Sequence, residues 1–378
     1  MARPSSFSIP ISAPLGAVAP LLSVFSIVIG ANAHAESFGK FPWQKYRAKE
    51  ADWFAQEKAL RIADNLLANR SRHGIWPKNF DTGRRDEGKK SDETRGTFDN
   101  GATVGEIRYL AQVYRATDEK RYFQAIKRAI DTILDAQYPN GGWPQSFPPG
   151  GGYPRYITLN DHVMVNLLRL VGDVAEREEF DFLDRRRRHC QAAFVRGIDC
   201  LLRTQVSVNG TPAVWCAQYD EQTLAPRPAR AYEPIALSSA ESAEVVLLLM
   251  SLEHPSPAVV HAVNGACRWF ERSRVYNLRI EEQGDDTRAL IDTDAEPLWA
   301  RFYSVDRNRP MFLGRDGVVH DRLAEIERER RGGYAWYGDW GEPVLRAWPV
   351  WYEQHLGVPL VRRDVDVAET PSRPTSNE

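Results

Sequence analysis

Two short segments place an aspartate beside an asparagine at the expected start of a helix. Asp99 and Asn100 lie in Phe98-Asp99-Asn100-Gly101-Ala102-Thr103, and Asp161 follows Asn160 in Leu159-Asn160-Asp161-His162. Free backbone N–H groups at a helix start favour an anionic side chain, so an ordinary cap explains either aspartate alone. The two aspartates are equivalent by position, however, and if the fold gathers them at one rim, their carboxylates and the amide oxygens could hold a hard cation such as Ca²⁺.

Later in the chain, arginines alternate with aromatic residues without helical or strand periodicity. A guanidinium group binds a carboxylate through two N–H donors, and aromatic rings stack on pyranose faces. Together with cation-binding aspartates, these loops indicate an acidic polysaccharide as ligand. The alternative is that the arginines pair with internal acids such as Glu233 and Asp316. The residues at issue are Arg230, Arg301, Arg315 and Tyr334.

A tryptophan turn recurs after three helix-like stretches. The turns contain Trp76, Trp143 and Trp215, and the last is preceded by Asn209-Gly210. Recurrence at this spacing indicates stacked or ring-closed helical hairpins, with the loops at one end forming a cleft. The tryptophans could stack on a sugar in that cleft or fill the ends of the hairpins, and the pattern leaves both interpretations open.

Apolar residues three and four positions apart predict an all-α fold, because strand-like alternation is almost absent. Residues 80–95 are expected to be a charged, solvated loop. Residues 281–317 read as loop, and a short helix at 319–329 is expected in a cover over the ring. The predicted helices are residues 43–69, 103–114, 121–136, 162–174, 184–202, 240–252 and 257–270.

Composition and charge exclude several classes of partner. The 378 residues include 49 Lys and Arg against 51 Asp and Glu, so nothing electrostatic points to nucleic acid or an anionic membrane. Four cysteines allow one disulfide or none, and no cysteine–histidine spacing resembles a zinc site. The repeat favours a single domain, residues 36–362, and we expect a monomer.

The two ends of the chain differ from this domain. Residues 1–35 carry Arg3 as their only formal charge, contain an apolar run at 15–29 and end in Ala33-His34-Ala35. This is typical of a cleaved signal peptide, and it predicts a secreted or periplasmic protein without stable membrane association. Residues 363–378 are polar and proline-containing, and we expect them to be disordered.

Seven short segments contain most of these candidate residues. They are Phe98-Asp99-Asn100-Gly101-Ala102-Thr103, Asn140-Gly141-Gly142-Trp143-Pro144-Gln145, Ile157-Thr158-Leu159-Asn160-Asp161, Trp215-Cys216-Ala217-Gln218-Tyr219-Asp220, Ala229-Arg230-Ala231-Tyr232-Glu233, Arg315-Asp316-Gly317 and Arg331-Gly332-Gly333-Tyr334-Ala335-Trp336-Tyr337. In this order and at these intervals, the chain resembles pectate lyases of polysaccharide lyase family ten over most of residues 45–355. The resemblance implies an (α/α)3 toroid of helical hairpins with long loops forming a cleft.

The resemblance also implies calcium-dependent β-elimination in polygalacturonate, which gives 4,5-unsaturated oligogalacturonides. A cation on the C6 carboxylate would stabilise the charge that develops when the C5 proton is removed. From the arginine–aromatic loops, we further expect Arg301 and Tyr334 to contact the substrate. The implied roles are Ca²⁺ ligands for Asp99 and Asp161, base for Arg230, and substrate contacts for Asn100 and Arg315.

An arginine base is unusual, because a free guanidinium with a pKa above about 12 is almost always a donor. Neighbouring cations disfavour its charge and alkaline pH raises the deprotonated fraction, so an alkaline optimum is expected. The chain departs from the family pattern at His162-Val163, where a small or acidic residue is expected after Asp161. This departure leaves the secondary polar contact at that position in doubt.

Two alternatives belong to other classes. Gln137-Tyr138-Pro139-Asn140-Gly141-Gly142-Trp143 fits the Q-x-x-x-G-x-W pattern of terpene-cyclase-like α/α barrels, although their acidic D-x-D-D motif is missing. A non-catalytic pectin-binding protein on the same fold would use Arg230 as a ligand clamp. An unsaturated product formed from polygalacturonate would distinguish a lyase from both.

Overall fold

A computed structural model describes residues 41–85, 96–208 and 210–360 of the chain. The expected signal peptide at 1–35 and the expected disordered tail at 363–378 lie outside the described residues, as do Asn209 and most of the predicted loop at 80–95. Within the described ranges, no helix has both the length and the apolar character needed to cross a membrane.

Helices dominate the described residues, as the apolar periodicity predicts. The predicted stretch at 43–69 is broken into the 3-10 helices Trp43–Lys45 and Ala51–Ala55 and one α-helix. The other six predicted helices are present, with bounds that differ by a few residues. The α-helices are α1 Glu57–Ala68, α2 Val104–Thr117, α3 Lys120–Ala136, α4 Val163–Glu176, α5 Arg185–Thr204, α6 Ser239–Met250, α7 Pro257–Arg272, α8 Arg328–Gly332 and α9 Gly341–Leu356.

Three antiparallel hairpins, α2–α3, α4–α5 and α6–α7, build an α/α toroid. Helices α2, α4 and α6 are neighbours in an inner layer, while α3, α5 and α7 are neighbours in an outer layer. Helices α1 and α9 flank the first and last hairpins. In α3, Ile126, Ile130 and Ile133 are fully buried at spacings of four and three, because one face of this helix packs inward. The predicted all-α toroid is therefore confirmed.

The strands are short and mostly connect loops at one end of the toroid. Strands β7, β11, β12 and β13 form one sheet, in which Phe302 pairs with Ser238. The strands are β1 Gly96–Thr97, β2 Ser146–Phe147, β3 Ile157–Thr158, β4 Ser207–Val208, β5 Thr211–Pro212, β6 Gln218–Tyr219, β7 Leu237–Ser238, β8 Leu278–Gln283, β9 Asp286–Ile291, β10 Trp299–Ala300, β11 Phe302–Tyr303, β12 Pro310–Leu313, β13 Val319–His320 and β14 Tyr337–Gly338.

The tryptophan turns close the ends of the outer helices. Trp76, Trp143 and Trp215 are 0% exposed, and each indole N–H donates to a backbone carbonyl near the end of the helix before it. The acceptors are the carbonyls of Leu66 at 2.7 Å, Ile133 at 2.9 Å and Leu201 at 2.7 Å. These rings fill the hairpin ends, and the alternative in which they stack on a sugar is wrong.

A fourth turn of the same kind follows α7 and was not recognised in the sequence. Trp299 donates its indole N–H to the carbonyl of Phe270 at 2.9 Å. After each of the first three turns, the chain returns as a short strand that hydrogen-bonds to the tryptophan carbonyl before an inner helix begins. The donors are Thr97 N at 3.0 Å, Thr158 N at 3.0 Å and Ser238 N at 2.8 Å. The starts of α2, α4 and α6 are thereby fixed at one rim.

The C-terminal region differs from prediction in three ways. The prediction of a helix at 319–329 is wrong, because this stretch contains β13, a 3-10 helix Leu323–Glu325 and only the start of α8. Strands β8 and β9 form a hairpin where residues 281–317 read as loop, with Gly284 at φ +64° in the turn. Helix α9 was missed, because Pro349 interrupts its pattern.

The four cysteines are buried and form no disulfide, which agrees with the expected one bridge or none. Burial raises the pKa values of Cys190, Cys200 and Cys216 to about 12. These thiols are therefore part of the apolar core.

Candidate active site

The inner helices α2, α4 and α6 begin at one rim of the toroid, and each brings a carboxylate there. Asp99 precedes α2, Asp161 precedes α4, and Glu241 lies in the first turn of α6. All three carboxylates therefore lie near the N-terminal ends of inner helices.

Asp99 is almost completely buried, with 2% of its surface exposed. Its Oδ2 accepts a hydrogen bond from Nε2 of Gln145 at 2.9 Å and contacts the ammonium group of Lys78. Its Oδ1 is buried and has no hydrogen-bond partner among the described residues. One carboxylate oxygen is thus available to a ligand at the rim.

Asp161 lies against Asp99, and the two side chains are within hydrogen-bonding contact. Burial, followed by the negative charges of Asp99 and Glu241, raises the pKa of Asp161 to about 7, while Arg301 acts in the opposite direction. Asn160 donates from Nδ2 to Oδ2 of Asp161 at 2.8 Å. Two aspartates far apart in the sequence therefore share one negatively charged site.

The two aspartates are not equivalent by position, contrary to expectation. Each lies in a 3-10 turn, but Asp99 is the first residue of its turn and Asp161 is the second. The second positions, Asn100 and Asp161, both have left-handed backbone conformations, with φ of 53° and 51°. Asn100 therefore matches Asp161, and Asp99 matches Asn160, so the two turns carry the same residue types in opposite order. Asparagine and aspartate tolerate this conformation better than most residues do.

Glu241 and Arg301 form a buried ion pair beside Asp161. Burial alone would raise the pKa of Glu241, but Arg301 and the hydroxyl of Ser238 outweigh it and lower the pKa. Burial likewise disfavours the charge of Arg301, yet Glu241 holds its pKa above the usual value. Arg301 is predicted to contact substrate, and in the structure its guanidinium group is paired with Glu241.

Arg230 is clamped by Glu233, the internal acid considered as its alternative partner. Its Nε donates to Oε2 of Glu233 at 2.7 Å, and a second guanidinium nitrogen contacts Oε1. Hydrogen bonds from Arg230 to Glu233 raise the pKa of Arg230 despite the opposing effect of burial. Tyr334 donates its hydroxyl to the same Oε1 at 3.2 Å, so Glu233 joins two predicted site residues.

Arg315 pairs with a different acid from the one expected. It donates from Nε and Nη2 to Glu329 at 3.0 and 2.8 Å, whereas Asp316 accepts a backbone hydrogen bond from Val318 at 3.0 Å. The Arg315 side chain is mostly exposed at the rim. The guanidinium can therefore exchange its partner for a ligand carboxylate with little desolvation cost.

Three arginines surround the ring of Tyr232. Their Cζ atoms lie 4.8 Å (Arg230), 5.9 Å (Arg315) and 4.3 Å (Arg330) from the ring centroid. Cation–π attraction holds the guanidinium groups together in spite of their like charge. The predicted residues Arg230 and Arg315 are thus neighbours through one aromatic ring.

These contacts run continuously from the aspartate pair to the arginine cluster. Arg301 links Glu241 to Tyr334, since its Cζ lies 4.8 Å from the Tyr334 ring, and Tyr334 reaches Arg230 through Glu233. Asn100 lies half-buried beside Asp99 at the rim. All seven residues selected from the sequence are therefore joined by one continuous run of contacts.

Sequence reasoning missed several residues of this cleft. Glu241 follows the Trp215 turn at the start of an inner helix, so the tryptophan repeat could have identified it as the third carboxylate. Lys78 and Gln145 come directly after the prolines that follow Trp76 and Trp143, and the same repeat marks them. Trp340 carried no signal, because helix α9 was not recognised.

The residues present fit a hard cation. Oxygen ligands suit Ca²⁺, and the unpartnered Oδ1 of Asp99 beside the Asp161 carboxyl of raised pKa favours a cation, although the Lys78 ammonium already contacts Oδ2 of Asp99. In the described residues, no group of three or more His, Cys, Asp or Glu side chains encloses a metal position. Asp99 and Asp161 would thus leave coordination positions for water and for a ligand carboxylate.

Comparison with known proteins gives a family match, matches to solved structures and one negative result. A family model described as pectic acid lyase matches residues 70–345. The structure is similar to a family 10 polysaccharide lyase from Cellvibrio cellulosa, with TM-score 0.70, 28% identity, and coverage of 84% of this chain and 99% of that chain. It is equally similar to an aspartate-to-alanine mutant of that lyase in complex with trigalacturonic acid, with TM-score 0.70, 28% identity and coverage of 84% and 98%. No curated protein matches the chain.

Proposed function

Because the chain belongs to the pectic acid lyase family and is a polysaccharide lyase, we propose that it cleaves polygalacturonate by calcium-assisted β-elimination and releases 4,5-unsaturated oligogalacturonides. Family membership sets aside the terpene-cyclase-like enzyme and the non-catalytic binding protein. The observation that supports the proposal is the run of contacts that joins the Asp99–Asp161 pair to Arg230 and Arg315.

Asp99 and Asp161 would hold Ca²⁺ together with the C6 carboxylate of a galacturonate. The ion supplies Lewis-acid stabilisation of the charge that develops at this carboxylate when the C5 proton leaves. The free oxygen of Asp99 and the raised pKa of Asp161 support this assignment, since both are relieved by a cation. Without a bound ion, the ammonium group of Lys78 supplies positive charge to the carboxylate of Asp99.

Arg230 would accept the C5 proton. The electron pair of the C5–H bond then forms the C4–C5 double bond, the C4–O bond breaks, and the departing oxygen takes a proton from water. Glu233 opposes this role, because it keeps Arg230 protonated. Arg230 would therefore act as a base once the substrate carboxylate or alkaline pH has weakened the clamp, and an alkaline optimum follows.

Arg315 and Asn100 would hold the sugar acid at the reacting subsite. Arg315 is exposed and bidentate, as carboxylate recognition requires, and Asn100 projects from the turn that holds Asp99. Arg301 and Tyr334 lie behind them, bonded to Glu241 and Glu233. We assign them to the cleft wall, where they orient these two carboxylates.

We propose that the enzyme is secreted or periplasmic, as the expected signal peptide indicates, and that it acts there as a monomer on polymeric substrate. An exposed cleft with arginines at its rim suits a long polyanion.

The decisive experiment is incubation of the purified protein with polygalacturonate, with Ca²⁺ or with a chelator, while the ultraviolet absorbance of unsaturated uronides is recorded. We expect product with Ca²⁺ and none with chelator. Arg230→Lys should abolish turnover but leave Ca²⁺ binding intact. Product formation that continues in chelator would reject the calcium role, and substantial activity in Arg230→Lys would move the base to another residue.

A further inference from the structure

A cavity of about 270 Å³ opens at the Asp161 end of the cleft. It lies between the start of α4 and one face of α6, with Trp340 at the start of α9 opposite. Its volume is near the lower limit of about 300 Å³ for small-molecule sites, so it has room for one sugar unit and not for a chain. The polar lining comes from Asp161, His162, Glu241, Glu244 and Arg301.

Among the described residues that line this cavity, the guanidinium group present is already in an ion pair. Three carboxylates line it against the single guanidinium of Arg301, which is already paired with Glu241. Glu244 accepts from Nη2 of Arg169 at 2.9 Å and is likewise satisfied. A further carboxylate placed here would be desolvated beside Glu241 and Glu244, whose arginine partners are already committed to them, and this is unfavourable.

The opposite end of the cleft carries more positive charge. Around Tyr232, three guanidinium groups lie beside the carboxylates of Glu233, Glu329 and Glu327, so each acid is matched by an arginine. Arg330 is buried, and its Nε has no hydrogen-bond partner among the described residues. An ionised uronate would therefore bind favourably at this end of the cleft, but not in the cavity.

The remaining lining suits an uncharged ring. Trp340 presents an indole face, and Leu247 and two alanines of α6 add apolar surface. Pyranose rings bind aromatic faces through their C–H groups, while Glu241, Glu244 and the unpartnered Nδ1 of His162 can bond to sugar hydroxyls.

We propose that the cavity between α4, α6 and Trp340 is a subsite for an uncharged pyranose next to the reacting galacturonate. This rests on the proposed lyase function and deepens it by naming the neighbouring unit of the substrate. In a pectic polymer, an uncharged pyranose is a galacturonate esterified at C6 or a neutral sugar. The enzyme would then act best where an ionised galacturonate lies beside an uncharged unit.

The test uses oligogalacturonides of one length in five forms. One is fully ionised, two carry a methyl ester at one or the other terminal residue, and two carry galactose at one or the other of those positions. The measured quantity is kcat/KM for unsaturated product. Wild-type protein should cleave the substrate esterified at one of the two ends roughly two- to fivefold faster than the ionised one, the effect of one partly screened charge interaction.

Variants locate this preference in the cavity. Glu244→Gln should bring the ratio of kcat/KM for the esterified substrate to kcat/KM for the ionised substrate close to one, by raising kcat/KM for the ionised substrate. Trp340→Ala should lower kcat/KM for the esterified substrate, and Trp340→Phe should restore most of it. Glu57→Gln removes the same charge from an exposed position at the start of α1 and should leave every ratio unchanged.

The outcomes separate the two proposals. If polygalacturonate gives no unsaturated product at all, the lyase assignment itself fails. If the wild-type protein cleaves all substrates but prefers the ionised one or treats them alike, the uncharged subsite is wrong and the lyase function stands. If galactose and the ester raise kcat/KM equally, the cavity selects any uncharged unit. If only the ester raises kcat/KM, the cavity also recognises the ester group.

Discussion

At the residue scale, Asp161 faces two other carboxylates and carries a raised pKa of about 7. Its ordinary value in an unfolded chain is 3.8. Between these values the folded state binds the extra proton, so without a cation this group makes the protein progressively less stable as pH rises through the window. Above about pH 7 the unfavourable contribution is complete, and a bound cation would remove it.

Calcium should therefore raise the melting temperature more at about pH 8 than at about pH 5.5. Thermal unfolding with and without Ca²⁺ at both pH values measures this difference. Asp161→Asn, which cannot ionise, should lose most of the calcium effect at both. An equal increase at the two pH values in the wild-type protein would show that Asp161 is not the titrating ligand.

The clamp on Arg230 gives a second prediction at this scale. Glu233 raises the pKa of Arg230 through direct hydrogen bonds, so Glu233→Gln should lower it and shift the alkaline rise of kcat/KM by about one pH unit or more towards neutral. The pH profile of lyase activity measures the shift. Glu325→Gln, which breaks an exposed pair with Arg322, serves as control and should leave the profile in place. An unchanged profile in Glu233→Gln would contradict the role of Arg230 as base.

At the element scale, the tryptophan turns position the site, because each turn fixes where the following inner helix begins. Gly141, with φ +94°, belongs to the Trp143 turn and packs against the backbone carbonyl of Arg196 in α5. Gly210, with φ +77°, precedes the Trp215 turn and has nothing within 4 Å of an added Cβ. The two glycines share a backbone conformation and differ in their surroundings.

Gly141→Ala should thus destabilise the protein far more than Gly210→Ala. The left-handed conformation alone costs about 1 kcal/mol for alanine, and a collision with backbone adds roughly 2 kcal/mol or more. Urea unfolding of both variants measures the difference in the free energy of unfolding. Similar losses at the two positions would mean that helix α5 can move away without cost, and that the turn is not rigid.

The same elements explain what the sequence could and could not predict. Apolar periodicity located α2 to α7, because each of these helices has one buried face, and the repeat placed Asp99 and Asp161 near helix starts. The pattern did not distinguish the two positions within a 3-10 turn, because a left-handed residue leaves no periodic trace. It also missed α9 and the β8–β9 hairpin, where Pro349 and a partly exposed pair of strands obscure the period. The ion pairs of Arg301 and Arg315 depend on tertiary contacts between distant segments.

At the scale of the whole molecule, a single hydrophobic cluster extends from Phe41 to Trp351 through every layer of the toroid. The last helix closes it: Trp348 of α9 donates to Asn264 of α7 at 2.8 Å, and α9 also packs against α6. No separate core divides the hairpins among the described residues, so they depend on one another for burial.

Unfolding in urea should accordingly occur in one transition. Tryptophan emission and far-ultraviolet circular dichroism should give the same midpoint. Trp348→Phe removes the indole N–H and leaves Asn264 unsatisfied, and it should lower that common midpoint by a stability loss of about 1–2 kcal/mol. Two resolved transitions, in either protein, would contradict a single cooperative unit.

The buried cysteines bear on how the protein withstands the alkaline conditions in which the proposed arginine base would work best. An exposed sulfhydryl would become a thiolate in alkaline medium and react with oxidants and alkylating agents. With pKa values held at about 12 by the surrounding core, Cys190, Cys200 and Cys216 stay protonated there. Since none of the four cysteines is cross-linked, reductants have no bond to break, and maturation needs no oxidase. The folded protein should therefore tolerate both dithiothreitol and iodoacetamide, and become labelled only as it denatures.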